Sequence, residues 1–145
     1  MRYLASNLFD SRAQTLVNPV NTDGVMGAGL AQAFRARYPE MYRQYRERCC
    51  RRGDFSIGSL DLWRGPDRWV LNLPTKTSWR RPSELVYVRR GLLQFRAEYQ
   101  ALGIRSVAFP ALGCGRGQLA WTSVKPLFDE LLADLPIFIS VHLPR

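Results

Sequence analysis

The sequence contains a single histidine, His142, among its 145 residues. A metal site that needs two or more histidine ligands is therefore excluded, and a Ser-His or Cys-His catalytic pair is disfavoured. Three cysteines, Cys49, Cys50 and Cys114, are too few and too irregularly spaced for a disulfide scaffold or a zinc site. We expect no metal and no cofactor, so that any chemistry rests on other side chains.

Long apolar runs are also missing. No stretch approaches the roughly 18 uninterrupted apolar residues of a transmembrane helix. The first ten residues, MRYLASNLFD, lack the apolar run of a signal peptide. We therefore expect a cytoplasmic protein that has no membrane partner. Separately, we expect a monomer.

Acidic residues are fewer than basic residues. Asp and Glu total 12 against 21 Lys and Arg, which gives a formal net charge of +9. This excess favours a polyanionic partner such as nucleic acid or a phosphorylated ligand. Hydrophobic residues make up 46% of the chain, an ordinary globular value, and the length predicts one domain over 1–145.

What the sequence does contain is an alternation of strand-like and helix-like apolar periods. We predict strands at 2–5, 15–20, 59–64, 68–73, 106–110 and 137–143. We predict helices at 28–38, 41–52, 83–102 and 121–135, with Ser83 as the N-cap of the third. A hairpin turn is predicted at Gly65-Pro66-Asp67. The alternation indicates an α/β domain with helices on both faces of a mixed sheet.

Two predicted strands lead into similar glycine-rich loops, at 21–29 and 111–117, and a helix follows each loop. Glycine lets the backbone approach a ligand and present N–H donors, and a helix N-terminus adds positive partial charge. Two such loops could hold a pyrophosphate between them. Neither loop fits the Rossmann or P-loop fingerprint, so an ordinary site of either kind is disfavoured. The alternative is that both are tight turns between packed elements.

A third segment, 72–82, also follows a strand and precedes a helix. It would place Lys76 on the same rim as the glycine loops, although a lone lysine is more often a solvated surface charge. Trp79 could stack on a base or a ribose, or could simply cover the core.

These segments carry a family resemblance. The sequence VNPVN at 17–21, followed by GVMGAG at 24–29, resembles the first ligand loop of macrodomains. Further family motifs recur in the same order: RYPEM at 37–41, RGD at 52–54, LPTK at 73–76 with WR at 79–80, and LGCG at 112–115. The pattern is most similar to the DarG-type DNA ADP-ribosyl glycohydrolases, a branch related to the terminal ADP-ribose protein glycohydrolase of animals.

The resemblance implies a macrodomain fold, a three-layer αβα sandwich with a mixed central sheet, over 1–145. It also implies ADP-ribose as ligand and product, bound at the strand ends. Asn7 stands where many macrodomains carry the aspartate that accepts from adenine. The first loop would wrap the distal ribose, and the second would cradle the pyrophosphate. The implied ligand-binding residues are Asn7, Leu8, Gly24, Val25, Met26, Gly27, Gly29, Leu30, Thr75, Trp79, Leu112, Gly113, Cys114, Gly115, Arg116 and Gly117.

The resemblance also implies the catalytic residues. Asn21 matches the asparagine that contacts the distal ribose in hydrolytic macrodomains, and Lys76 matches the essential lysine of this branch. As a neutral amine, Lys76 could attack C1″; as a cation, it could stabilise or protonate the departing base. The animal enzyme has a catalytic aspartate at the position of Gly117, a departure that favours a DNA adduct as substrate.

The function we expect is removal of ADP-ribose from a nucleobase, thymine in single-stranded DNA, by an antitoxin-like enzyme. The implied partners are ADP-ribosylated single-stranded DNA, contacted by Arg80 and Arg81, and a cognate DNA ADP-ribosyltransferase toxin. Alternatives are a protein or small-molecule ADP-ribose hydrolase, a non-catalytic ADP-ribose reader, and a plain nucleic-acid-binding module. Cys114 could be a nucleophile, but we interpret it as a packing residue. The arginine-rich region 35–52 is either a solvated face or a nucleic-acid contact.

Overall fold

The computed structural model describes residues 1–143. Its six strands are β1 (Arg2–Leu4), β2 (Thr15–Asn21), β3 (Asp61–Arg64), β4 (Trp69–Lys76), β5 (Ser106–Pro110) and β6 (Phe138–His142). Its helices are α1 (Gly29–Arg37), α2 (Pro39–Arg46), α3 (Leu85–Leu102) and α4 (Trp121–Leu132). A 3-10 turn spans Leu8–Asp10, and a π-helical turn, Glu47–Arg52, extends α2.

The six strands form one mixed sheet in the order β1-β6-β5-β2-β4-β3. All pairs are parallel except β3 with β4, the predicted hairpin. Helices α1 and α2 cover one face, and α3 and α4 cover the other. In β2, the neighbours Leu16 and Val17 belong to the two different cores, as the two-residue period of a strand requires. The predicted α/β class and three-layer sandwich are confirmed.

The register of β2 against β4 places the first predicted site residues together. Along most of β2 the partners advance one for one, but an irregularity between Val20 and Asn21 shifts the pairing. Asn21 then lies opposite Lys76, the last residue of β4. The sheet itself therefore brings the two predicted catalytic residues to the same edge.

Some predicted boundaries are wrong. Ser83 is not the N-cap of α3, because the helix begins at Leu85 after Glu84, and no side chain caps it. The backbone N–H of Ser83 instead donates to the carbonyl of Gly117, which draws Ser83 away from the helix and into the second loop. Pro39 begins α2, whereas the predicted helix began at 41.

Residues 1–143 contain neither a membrane-spanning helix nor a cluster of metal ligands. No helix within residues 1–143 is both long and apolar enough to span a membrane. In the same residues, no group of three or more His, Cys, Asp or Glu side chains is placed to hold a metal ion.

Candidate functional site

The candidate site lies where parallel strands β2, β4 and β5 end. The first loop, 21–29, connects β2 to α1, and the second loop, 111–119, follows β5. The segment 76–82, called here the lysine loop, leaves the end of β4. Parallel strands present their carboxyl ends at one edge of the sheet, so the three loops share a rim.

The side-chain amide of Asn21 organises the first loop. Its Oδ1 accepts hydrogen bonds from the backbone N–H groups of Asp23 and Val25, both at 3.3 Å. Its Nδ2 donates to the Val25 carbonyl at 2.9 Å. Within residues 1–143 the second Nδ2 hydrogen has no acceptor, which leaves one donor for a ligand. Asn21 therefore shapes the loop in addition to any contact with a ribose.

Helix α2 braces the first loop from behind. The buried Tyr45 hydroxyl lies 2.7 Å from Asn21 Oδ1 and 2.8 Å from the Asn21 carbonyl. Burial is the main reason that the Tyr45 pKa is well above its ordinary value, so the hydroxyl remains a donor. Arg46 Nη1 donates to the Gly24 carbonyl at 3.1 Å. Gly24 has φ +88°, and a Cβ there would lie 2.6 Å from Cys50 Sγ, so glycine is required.

The lysine loop is joined to the first loop by two hydrogen bonds. Thr22 Oγ1 donates to the Thr77 carbonyl at 3.0 Å, and the Trp79 backbone N–H donates to Asp23 Oδ2 at 3.3 Å. The Trp79 side chain remains 55% exposed, and the Arg80 guanidinium lies 5.0 Å from its ring centre. Trp79 thus does not cover the core. Its ring is available for stacking on a ligand.

Lys76 lies half-buried at the centre of this rim. No carboxylate within residues 1–143 pairs with its ammonium group. Burial lowers the pKa of Lys76, and the nearby positive charge of Arg116 lowers it further. The site is therefore electropositive, and it raises the fraction of neutral amine at Lys76. Both features suit a ligand with phosphates and a lysine that can act as a nucleophile.

The second loop is built from main-chain turns. Backbone N–H groups donate from Cys114 to Ala111, from Gln118 to Gly115 and from Leu119 to Gly113. These turns bring the loop back on itself above the buried end of β5.

Two glycines of this loop are required sterically, and one is not. Gly113 has φ +75°, and a Cβ there would lie 2.7 Å from Leu119 Cδ1. A Cβ on Gly117 would overlap Ser83 Oγ and the Gly113 carbonyl, whereas one on Gly115 would meet nothing within 4 Å. Gly117 therefore cannot be exchanged for an aspartate in this backbone, which gives a physical reason for the absence of a carboxylate there.

Cys114 lies half-buried in the second loop. Burial raises the pKa of its thiol, which disfavours the reactive thiolate. Its Sγ lies 3.6 Å from the Leu112 carbonyl. This environment supports the interpretation of Cys114 as a packing residue.

The remaining predicted ligand residues differ in how far their side chains are exposed. The side chains of Leu8, Met26 and Leu112 are buried in the core, so these residues can reach a ligand only through main-chain atoms. Others are exposed or partly exposed around the three loops: Val25, Gly27, Gly29, Leu30, Gly115 and Arg116, together with the predicted nucleic-acid contacts Arg80 and Arg81. Asn7, also exposed, follows β1, whose carboxyl end lies at the same edge of the sheet. Thr75 is buried beside Lys76.

Two of these rim residues have contacts that the sequence did not indicate. Asn7 Oδ1 accepts from the Phe9 backbone N–H at 2.9 Å and so caps the 3-10 turn. At Gly29, the first residue of α1, a Cβ would lie 3.3 Å from Arg116 Nε. The Arg116 side chain therefore lies across the start of α1 and brings the two glycine loops together.

Two residues that support the site were not predicted from the sequence. Tyr45 braces Asn21 from a helix whose composition suggested only a basic surface. Ser83 lies under the second loop, and its buried hydroxyl has no hydrogen-bond partner within residues 1–143. For Tyr45, the only signal in the sequence was an aromatic residue among arginines. For Ser83, the sequence held no signal of this role.

The sequence pattern of the Macro domain family matches residues 17–128. The chain belongs to the macrodomain family. A DNA ADP-ribosyl glycohydrolase of Thermus aquaticus is 41% identical over 139 residues, which cover 93% of this chain and 38% of that protein. One of Mycobacterium tuberculosis is 39% identical over 147 residues, which cover 98% of this chain and 41% of that protein. This chain thus spans about two-fifths of the length of these curated relatives.

Solved structures agree with this membership. The macrodomain of Thermus aquaticus DarG superposes with a TM-score of 0.92 at 40% identity, covering 99% of this macrodomain and 97% of that chain. Thermosipho africanus DarTG in complex with ADP-ribose superposes with a TM-score of 0.90 at 35% identity, covering 98% of this chain and 41% of that chain. The predicted family and its likeness to the DarG branch are confirmed.

Proposed function

We propose that this macrodomain is an ADP-ribosyl glycohydrolase that hydrolyses the N-glycosidic bond between ADP-ribose and a base of DNA. The observation that carries the proposal is Lys76, unpaired in residues 1–143 and with a lowered pKa, opposite Asn21 at the end of β4. Two relatives at about 40% identity are named DNA ADP-ribosyl glycohydrolases, which supports the same reaction here.

The ligand would lie across the rim. Backbone N–H groups of the second loop and the Arg116 side chain would hold the diphosphate at the start of α1. The first loop, with the remaining Nδ2 hydrogen of Asn21, would hold the distal ribose and present C1″ towards Lys76. Adenine would lie near Asn7. The related DarTG structure, which contains ADP-ribose, supports this class of ligand.

Cleavage at C1″ passes through oxocarbenium character, so the site must stabilise positive charge or supply a nucleophile. As a neutral amine, Lys76 bonds to C1″ while the bond from C1″ to the base breaks, and the departing base takes up the proton that the new ammonium nitrogen releases. Water then attacks C1″ and breaks its bond to the lysine nitrogen, which releases ADP-ribose and the free amine. As a cation, Lys76 gives its proton to the departing base while water attacks C1″. The lowered pKa favours the amine, whereas the two phosphates of the ligand raise the pKa again.

We further propose thymine in single-stranded DNA as the modified group. The exposed Trp79 ring can stack on a neighbouring base, and Arg80 and Arg81 can contact phosphates. A cognate DNA ADP-ribosyltransferase is the proposed toxin partner, with the chain acting as its antitoxin. A Thermosipho africanus relative is named as a fusion of such a transferase with a glycohydrolase, which supports this pairing.

The decisive experiment incubates an oligonucleotide carrying ADP-ribosylated thymidine with the protein and with Lys76→Ala. We expect release of ADP-ribose by the parent and at least about a hundredfold slower release by the variant, because a nucleophile or general acid contributes on that order. Calorimetry with free ADP-ribose checks that the variant still binds. Cleavage by Lys76→Ala at the parental rate would remove the catalytic assignment.

Two further assays separate the alternatives. Borohydride trapping of a Lys76 adduct supports the covalent route, and its absence supports the cationic one. Faster release from ADP-ribosylated protein than from DNA would make the protein hydrolase the correct function. Tight binding of ADP-ribose without turnover of any conjugate would identify a reader.

A further inference from the structure

A cleft lies between α1 and α2, next to the first loop. Its volume is about 750 Å³, and its walls include Met26, Gly27, Gln32, Arg35, Tyr42 and Arg43. Met26 and Gly27 belong to the first loop. The cleft therefore borders the segment that is proposed to hold the distal ribose.

The charge of this cleft is one-sided. Arg35 has no carboxylate partner within residues 1–143, and no acidic residue lines the cleft. Arg43 pairs with Glu40 at 2.9 Å, but both side chains are about 70% exposed, so water screens the pair strongly. One turn further along α2, Arg46 contacts the Gly24 carbonyl and has no carboxylate partner in the described part of the chain.

In the same basic region, the arginines of the π-helical turn that follows α2 have carboxylate partners. Arg48 pairs with Asp54 at 3.2 Å and with the buried Asp61 at 3.4 Å. Arg52 pairs with Asp54 at 2.8 Å. The arginines of the region that have no carboxylate partner in residues 1–143 are thus on α1 and α2 rather than spread evenly along it: Arg35 in the cleft, Arg37 over the Phe9 ring and Arg46 at the Gly24 carbonyl.

The cleft also contains a ring suited to a nucleobase. The Arg35 guanidinium lies 4.2 Å from the centre of the Tyr42 ring, which holds the two groups as a stacked pair. Tyr42 also approaches the first loop, with its hydroxyl 3.5 Å from the Gly24 carbonyl. An aromatic or guanidinium plane beside free positive charge is the arrangement that binds single-stranded nucleic acid.

We propose that the α1–α2 cleft binds the single-stranded nucleic acid strand that carries the modified base. The idea that this strand bears the ADP-ribose rests on the proposed function; the binding of the strand itself does not. In this arrangement Arg35 and Arg43 contact phosphates, and a base stacks against the Arg35–Tyr42 pair. The strand then runs from the rim across the first loop into the cleft. Any contact with Arg80 and Arg81 adds to the contacts in the cleft.

The test is the double variant Arg35→Gln/Arg43→Gln against a matched double variant, Arg2→Gln/Arg105→Gln. Arg2 and Arg105 are exposed at the amino ends of β1 and β5, at the opposite edge of the sheet from the rim. Their removal lowers the net charge by the same amount as the removal of Arg35 and Arg43. Fluorescence anisotropy measures binding of an unmodified, labelled oligothymidylate. We expect at least about tenfold weaker binding for the cleft variant and less than twofold for its control.

The salt dependence of oligonucleotide binding and the affinity for free ADP-ribose provide two further measurements on the same variants. Loss of two phosphate contacts reduces the slope of log K against log salt by roughly 1.4, since each contact to a single strand contributes about 0.7. Free ADP-ribose should bind both double variants as it binds the parent, which also shows that they are folded.

The outcomes separate this inference from the proposed function. If the parent fails to cleave ADP-ribosylated DNA but the cleft variant still loses oligonucleotide binding, the proposed function fails and the inference stands. Unchanged binding by the cleft variant overturns the inference. Equal weakening in both double variants also overturns it, because net charge alone is then responsible. Binding of poly-glutamate as tightly as the oligonucleotide would show an acidic-protein site instead.

Discussion

The two glycine loops lie at the same edge of the sheet but are stabilised by different interactions. The first loop is held by side chains. The Asn21 side chain bonds three main-chain groups of Asp23 and Val25, and Tyr45 and Arg46 reach the loop from α2. The second loop is held by main-chain turns and by contact so close that Gly117 has no room for a Cβ above Ser83. The first should therefore be sensitive to lost hydrogen bonds, and the second to added atoms.

The largest effect is expected from Gly117→Ala in the second loop. Its methyl group would overlap Ser83 Oγ and the Gly113 carbonyl, and a carbonyl cannot move without distorting the loop. We expect a loss of about 3 kcal/mol in the free energy of unfolding, at the upper end of overpacking costs, together with weaker ADP-ribose binding. Urea unfolding and calorimetry measure the two.

Gly115→Ala is the matched control for that variant. Gly115 is exposed, and a Cβ there meets nothing within 4 Å, so the change should leave stability within about 0.5 kcal/mol of the parent. Similar losses in both variants would contradict the claim that packing, rather than chain flexibility, shapes the second loop.

The next effect concerns the first loop, in Tyr45→Phe. The change removes a buried donor from both oxygens of Asn21, so we expect destabilisation of about 1–3 kcal/mol. Tyr42→Phe loses only the 3.5 Å contact to Gly24 and should cost less than about 0.5 kcal/mol. Thermal and urea unfolding compare the pair. Equal costs would mean that the hydroxyl of Tyr45 does not brace the loop.

Ser83→Ala should act in the opposite direction. The Ser83 hydroxyl is buried without a hydrogen-bond partner within residues 1–143, and burying such a group costs free energy. Its removal should leave the unliganded protein unchanged or raise its stability by up to about 1 kcal/mol. A clear loss of stability would show that the hydroxyl has a partner in solution.

The smallest effect on stability is expected from Lys76→Met, which tests the electrostatic interactions between the loops. Because the pKa of Lys76 is lowered in the folded state, the unfolded chain binds this proton more tightly. The charge therefore opposes folding at neutral pH, and Lys76→Met should raise the melting temperature. If the proposed function is correct, the same variant also loses glycohydrolysis to the extent expected for Lys76→Ala.

The same linkage gives a pH dependence. Parental stability should rise as the pH approaches the ordinary lysine pKa of 10.5, so the advantage of Lys76→Met should shrink between pH 7 and pH 10.5. An advantage that is constant over this range would mean that the pKa of Lys76 is not lowered.

The fold could be predicted from the sequence because its signals are local. Strand 106–110 and the hairpin around Gly65 follow from apolar period and turn residues, and both are found in the structure. Ser83 shows where this reasoning fails. A serine before a helical pattern is an ordinary N-cap signal, but the hydrogen bond from its N–H to Gly117 lies 34 residues away and overrides the local preference.

The sequence by itself determined the order of strands and helices, the two glycine loops and the position of Lys76 at a strand end, since these depend on neighbouring residues. Only the tertiary structure decided which groups meet. The register irregularity places Asn21 opposite Lys76, α2 brings Tyr45 to Asn21, and packing brings Arg116 close enough to lower the pKa of Lys76. Such contacts join elements distant in the chain, and they form only when side-chain packing fixes how those elements lie together.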